Sequence, residues 1–293
     1  MKPYTLKWRG HRLDLGVRTC VMGILNTTPD SFSDGGHFFS FDNALAQGEK
    51  LVAAGADILD IGGESTRPFS EGVPEEEEAR RVIPVIEALA PRLAVPISID
   101  TTKAAVARQA IDAGAAIIND VSALRQDPEM AAVAAAAGVP VILMHMLGTP
   151  RTMQVDPTYD DLFGEIRGFL ETAIETAEAG GIDRKLLIAD PGIGFGKTVA
   201  HNLLIIKHMD LFDALEVPLL IGPSRKAFIR MLLQGDSDQA LTPDRPEVAA
   251  GTQAAVAAAV LSGAHIIRVH DVATTRATVT IMDAVRQVGT PRC

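Results

Sequence analysis

The chain has 293 residues, 47% hydrophobic and 22% charged, enough apolar content for one large core or two small ones. Its formal charge of −10 argues against general binding to nucleic acid or to an anionic membrane, where a basic face is expected, so any anionic ligand must be held by a few local cations. Two cysteines, Cys20 and Cys293, with no Cys/His pair at zinc spacing, leave no disulfide framework and fit a reducing, cytoplasmic protein.

The first residues, "MKPYTLKWRGHRLDLGVR", lack the apolar core of a signal peptide. Tyr4, Leu6 and Trp8, then Leu13 and Leu15, alternate around "RGHR", which predicts a small hairpin within residues 1–17. It is expected to cap the N-terminal end of the main body, residues 18–293. Eight short apolar runs come next, at 18–26, 54–65, 95–100, 113–122, 139–145, 186–192, 217–224 and 262–271. Three of them share one plan, a small-Gly-small helix end, an apolar run and then polar residues: "AGADILDIGGES", "AGAAIINDVS" and "SGAHIIRVHD". Helix-like segments lie between the runs, including 43–54, 75–90, 102–113, 127–137, 159–179, 199–213, 246–261 and 273–288. The stretch 131–147 is broken by Gly138 and Pro140 and does not read as a membrane span.

Continuous rather than alternating apolar strands are buried on both faces, hence parallel with helices outside. Eight βα units of this length close most simply into an α/β (β/α)8 barrel, a TIM barrel, over residues 18–293, with 1–293 as a single domain. An open doubly wound sheet is the runner-up, weakened because no G-x-G-x-x-G follows the first run. The Ala-rich faces 131–137 and 254–260 read as close-packed helix surface, and the run Glu75 to Glu78 as a solvated helix start that complements the helix dipole.

Polar residues end nearly every run: Asn26, Glu64 to Arg67, Asp100, Asn119, His145, Asp190, Ser224 to Lys226, and Arg268 with His270. In a barrel they converge on the C-terminal mouth, where active sites are built. Arg268 and His270 are two apart in a buried strand and share a face, so something anionic should meet them. Asp100, Asn119 and Asp190, with Lys226 able to neutralise one acid, suit a flat heterocycle with adjacent N–H donors. Asn26, Arg67, Arg268 and His270 suit a phosphate or diphosphate. The long loops 26–40 and 62–74 read as lids or binding loops carrying Phe32, Phe38, Phe39 and Phe69. "PGIGFGKT" (191–198) lacks the first glycine of a Walker A loop, which falls at Pro191, and reads as a tight turn projecting Phe195. His145 has no partner at metal spacing and is read as packed or hydrogen-bonded; the acids form no obvious metal cage.

In chain order, "GILNTTPDSFSDGG" (23–36), "DIGGESTRP" (60–68), "ISIDTT" (97–102), "INDVS" (118–122), "LMHMLGTPRTMQ" (143–154), "DPGIGFGKT" (190–198), "GPSRKAFI" (222–229) and "RVHDV" (268–272) resemble the dihydropteroate synthases from about Thr19 onward. The resemblance implies condensation of 6-hydroxymethyl-7,8-dihydropterin diphosphate with p-aminobenzoate, giving 7,8-dihydropteroate and diphosphate, in a family that sulfonamides inhibit. It implies that Asp100, Asn119, Met144, Asp190, Gly222, Lys226 and Arg268 hold the pterin, and that Asn26, Arg67, Arg268 and His270 meet the diphosphate. It further implies Asn26 as a ligand of Mg²⁺, and Phe32, Thr66, Pro68, Phe195, Ser224 and Lys226 around p-aminobenzoate. Asp34 would organise the closed site and, with Asp100, Lys226, Arg268 and His270, make up the catalytic set. A homodimer built by helices near the C-terminus is expected as well. A pterin-dependent methyltransferase module would lack the "NTTPDSFSDGG" and "PSRK" loops, and a non-catalytic pterin-binding paralogue would have lost Asn26, Asp100, Lys226 or Arg268; neither loss is present.

Overall fold

The computed structural model describes residues 1–27, 37–64, 72–149, 151–235 and 240–288, with the backbone alone at 37–40. The expected lids and four residues of the connection 234–245 lie largely outside this set, as do Phe32, Asp34, Thr66, Arg67, Pro68 and Cys293.

Strands β1 (Tyr4–Trp8) and β2 (His11–Leu15) form the expected antiparallel hairpin, with Leu6, Trp8, Leu13 and Leu15 buried. It closes the N-terminal end of the barrel, where Trp8 Nε1 donates to the Ala116 carbonyl at 2.7 Å.

The chain then runs β3 (Cys20–Asn26), α1 (His37–Ala53), β4 (Ile58–Gly62), α2 (Glu75–Leu89), β5 (Ile97–Asp100), α3 (Ala104–Asp112), β6 (Ile117–Asp120) and α4 (Met130–Ala137). It continues with β7 (Val141–Met144), α5 (Leu162–Ala179), β8 (Leu187–Asp190), α6 (Val199–Lys207), β9 (Leu220–Ile221), α7 (Ala227–Gln234), α8 (Pro246–Leu261), β10 (Ile266–Val269) and α9 (Val272–Gln287). Among the described residues the parallel sheet has the order β8-β7-β6-β5-β4-β3-β10-β9. A parallel bridge between Ala189 and Leu219 closes it into the barrel. Each of the eight apolar runs holds one of these strands.

Local chemistry starts and stops the helices. Asp161 caps α5 by accepting from Gly164 N, Thr198 and His201 form a reciprocal capping box on α6, and Pro246 opens α8. Gly138 ends α4 in the left-handed region at φ 61°. Two expectations are corrected. The segment 199–213 is not one helix: α6 stops at Lys207 and a 3₁₀ stretch, Met209–Leu215, comes after it. The run Glu75 to Glu78 is not wholly solvated. Glu78 is buried and bonds Lys103 on the neighbouring helix start, because the fourth residue of a helix turns back toward the sheet.

α7 went unread in the sequence. It is short, and Lys226, the residue before it, makes no side-chain cap bond, so its length and the missing start signal hide it.

Candidate active site at the mouth of the barrel

The strand register sets the site. Asn26 pairs with Gly62, Gly62 with Asp100 and Asp100 with Asn119, one row along the C-terminal rim of four strands. Met144 and Asp190 pair likewise on β7 and β8. One same-face step deeper lies the row Ile24, Asp60, Ser98, Ile117. The rim turns are themselves built. Buried Asp120 accepts from the backbone N–H groups of Ser122 and Leu124, each at 2.8 Å, and holds Ala123 and Leu124 at φ 54° and 64°. After β9, Arg225 takes φ 58° and hands its N–H to Thr252 Oγ1, which brings Lys226 to the mouth. Left-handed backbone at non-glycine residues persists only where the surroundings enforce it, and it clusters at functional sites.

The anions that meet Arg268 belong to the protein. Its Nε donates to Asp60 Oδ2 at 2.6 Å and its Nη2 to Asp100 Oδ2 at 2.6 Å. Asp60 also receives Asn119 Nδ2 at 3.3 Å, which joins three of the expected pterin residues in one network. Sequence reasoning missed Asp60. Its signal was present in "ILDIG", an acid in mid-strand with apolar residues on both sides. His270, the other cation of the pair, meets an alcohol: Ser224 Oγ lies 3.0 Å from its Nδ1 and accepts from its backbone N–H.

Lys226 is not ion-paired with an acid among the described residues. Its ammonium lies 3.9 Å from the centre of the Phe195 ring, a cation–π contact. A narrow crevice is lined by Asn119, Met144, Asp190, Gly222, Lys226 and Arg268, together with Val121, Ile193 and Phe195. Beside it, reached past Asp100, opens a cavity of about 570 Å³. The structure thus brings together Asp100, Asn119, Met144, Asp190, Phe195, Gly222, Ser224, Lys226, Arg268 and His270, with Asn26 at the rim.

Burial shapes the charges. It lifts the Asp190 carboxyl to about 6, opposed by the Gly192 N–H at 2.7 Å and by Lys226. It lifts the Asp100 carboxyl well above the usual range, with Arg268 opposing. Burial also lowers the Lys226 ammonium to about 8, reinforced by Arg268. For Arg268 burial works against the charge, but Asp60 and Asp100 outweigh it and keep the guanidinium cationic. Two acids and an amine displaced toward neutrality in one crevice are the pattern that functional sites favour.

The loop Gly192–Lys197 forms one wall. A Cβ at Gly192 would sit 1.9 Å from the His145 carbonyl oxygen and one at Gly196 2.5 Å from Leu147 Cβ, so only glycine lets this loop approach β7. His145 is hydrogen-bonded as expected, to Lys197 Nζ at 2.9 Å. No cluster of three His, Cys, Asp or Glu side chains able to hold a metal occurs among the described residues.

The family model described as pterin binding enzyme matches residues 22–270, nearly the whole barrel and every strand that lines this mouth, and places the chain in that class. Within that class, the dihydropteroate synthase of Synechocystis is 50% identical over 259 residues, which cover 88% of this chain and 87% of that protein. The Xanthomonas albilineans dihydropteroate synthase solved with 4-aminobenzoic acid is 46% identical with a TM-score of 0.89, covering 98% of this chain and 100% of that one. The same organism's enzyme in complex with 7,8-dihydropteroate is 45% identical with a TM-score of 0.84, covering 96% and 98%. The chain belongs to the dihydropteroate synthase family.

Proposed function

We propose that this chain condenses 6-hydroxymethyl-7,8-dihydropterin diphosphate with p-aminobenzoate, releasing diphosphate and 7,8-dihydropteroate. The observation that carries this reading is the network Asn119–Asp60–Arg268–Asp100 in one mouth with Asp190 and Lys226. It provides carboxylate acceptors for the pterin's adjacent N–H donors and a cation beside the bond to be broken.

The C–O bond at the pterin methylene breaks, its electron pair leaves with diphosphate, and the aniline nitrogen bonds the same carbon before losing a proton. Asp100, Asn119, Asp190 and Lys226 orient the ring, Met144 and Gly222 line it, and Asp100 offsets the positive charge that develops toward carbon. Arg268 and His270, with Arg67 and Asn26, receive the growing negative charge of the leaving group. Phe195, Ser224 and Lys226, with Phe32, Thr66 and Pro68, form the p-aminobenzoate pocket. Asp34 organises the closed loops, and closure excludes water that would otherwise capture the electrophile. The path is dissociative, because the aniline is a weak nucleophile and needs no strong base. A series of arylamines of falling basicity should leave kcat nearly flat, and a steep dependence contradicts this path.

Mg²⁺ fits as an ion carried on the diphosphate. Asn26 offers an amide oxygen, no cage of acids occurs among the described residues, and Mg²⁺ commonly takes few protein ligands plus substrate phosphates. When bound, it neutralises charge on the leaving group. A homodimer is supported by neighbouring exposed apolar residues on α6, α7 and α8, Leu203, Leu204, Leu232, Leu233 and Leu261. Sedimentation of a Leu204→Glu, Leu233→Glu variant as monomer, with wild type as dimer, tests it. No helix of the described residues is long and apolar enough to cross a membrane. A cytoplasmic location is proposed as well, in keeping with the free, buried thiol of Cys20. The whole chain is read as one domain.

The deciding experiment for the activity is dihydropteroate formation from the two substrates with Mg²⁺, each omitted in turn. Product should require both organic substrates; pterin binding without product would leave a binding module.

A further inference from the structure

Lys197 is a buried lysine, 3% exposed, for which the proposed reaction has no use. It ends the Gly192–Lys197 loop, and three successive carbonyls of that loop each receive a side-chain donor. Gln154 Nε2 donates to Gly194 O at 2.7 Å, Lys197 Nζ to Phe195 O at 3.0 Å and Tyr159 Oη to Gly196 O at 2.7 Å. The second partner of the Lys197 amine is His145 Nδ1, and His145 packs edge-on against Phe169 with ring centroids 4.8 Å apart. No carboxylate lies within ion-pair distance of Lys197 among the described residues. An amine buried without a counter-ion is costly, and a methionine would fill the same space. Its retention calls for a task that only the amine performs.

We propose that Lys197 is a positioning residue for the second substrate. By gripping the Phe195 carbonyl and His145 together, it fixes the Phe195 ring against Lys226 and so sets the slot into which the arylamine slides. The inference rests on the assignment of Phe195 and Lys226 to the p-aminobenzoate pocket.

The grip depends on protonation. A charged amine donates to both His145 Nδ1 and the Phe195 carbonyl, and a charge-assisted bond is about twice as strong as a neutral one. A neutral amine still donates to the carbonyl, while its lone pair can only accept a hydrogen bond from Nδ1–H, without the assistance of charge. Burial pulls the Lys197 amine down to about 7, with Asp190 opposing and Lys226 reinforcing. Burial, Lys197 and Arg125 keep His145 neutral, with a value of about 2. Tyr159 and His201 complete the titratable groups packed around this pair. The loop is therefore held tightest below about pH 7, and the KM for p-aminobenzoate rises as the amine loses its proton.

The test is steady-state kinetics of Lys197→Met, which keeps chain length and removes the amine. The KM for p-aminobenzoate should rise about ten-fold, the equivalent of one hydrogen bond to a charged group, while the KM for the pterin diphosphate stays within about two-fold. The difference between the wild-type and variant pH profiles of the p-aminobenzoate KM should centre near pH 7. His145→Gln, which keeps an acceptor for the amine, should stay near wild type. His145→Phe, which removes it, should raise the same KM alone by about three-fold, and it serves if Lys197→Met does not fold. An unchanged p-aminobenzoate KM, or equal losses for both substrates, overturns the positioning role. Failure of the functional reading is seen instead in the wild type, which would then form no dihydropteroate at any pH, and that outcome overturns both.

Discussion

Asp60 lies beneath the reacting groups without reaching them, and Asp60→Asn tests whether it aims Arg268. The carboxylate is fully buried; its Oδ2 takes Arg268 Nε at 2.6 Å and Asn119 Nδ2 at 3.3 Å, while its Oδ1 has no partner among the described residues. Asparagine has the same shape, so no cavity opens. Its amide oxygen can still accept from Nε, but the charge is lost and the new N–H donors fall at the Oδ1 position, where no partner lies among the described residues. A hydrogen bond to a charged group is worth about 1.5–3 kcal/mol against about 1 for a neutral one. The difference, about 0.5–2 kcal/mol, corresponds to about 2- to 30-fold in rate. Held less tightly at position 60, the guanidinium is drawn toward Asp100, and its position over the leaving group shifts. The assay is kcat/KM for diphosphate release, with thermal unfolding measured in parallel. A kcat/KM within two-fold of wild type would refute the claim that Asp60 positions Arg268.

Three further outcomes are expected. The folded-state value of about 6 for Asp190 exceeds its ordinary 3.8, so the native state holds the extra proton in that interval; this stabilisation is present at low pH and lost as pH rises through 6. Asp190→Asn should therefore gain stability over wild type in urea melts as pH goes from 4 to 8, while pterin binding falls more than about ten-fold; a difference that does not change with pH contradicts this. Trp8→Phe removes the indole bond to Ala116 and should cost about 1 kcal/mol of stability with kcat/KM unchanged, since the hairpin caps the far end of the barrel. Glu78→Ala leaves Lys103 with Glu64 as its counter-ion and should cost about 1.5–2 kcal/mol in urea unfolding, one hydrogen bond to a charged group; a cost below about 0.5 kcal/mol would mean Glu78 behaves as a solvated helix start after all.

Much of the architecture could be read from apolar runs bounded by Gly and small residues, because strands buried on both faces must be continuously apolar. The hairpin was legible for the opposite reason: one face is wet, so its residues alternate. The site was legible where polar residues ended those runs, since Asp100, Asn119, Asp190 and Arg268 all reach one mouth. What escaped depends on contacts between distant segments. Asp60 is 208 residues from Arg268, and only the closed barrel shows that the anion demanded by Arg268 is in the chain itself. Glu78 looked like one of four surface acids because its partner, Lys103, lies on another helix start. α7 spans only eight residues and lacks a capping side chain at its start, so nothing set it apart from the loop that comes before it.

The proposed chemistry turns on Arg268, which, held between Asp60 and Asp100, would assist departure of diphosphate from a pterin bound beside it. Single-turnover diphosphate release, with both substrates and Mg²⁺, in wild type and Arg268→Ala puts that role to the test. Release coupled one to one with dihydropteroate is expected in wild type, with a loss of at least about a hundred-fold in a variant that still folds. Release at the wild-type rate from Arg268→Ala, or wild-type release without dihydropteroate, would contradict it.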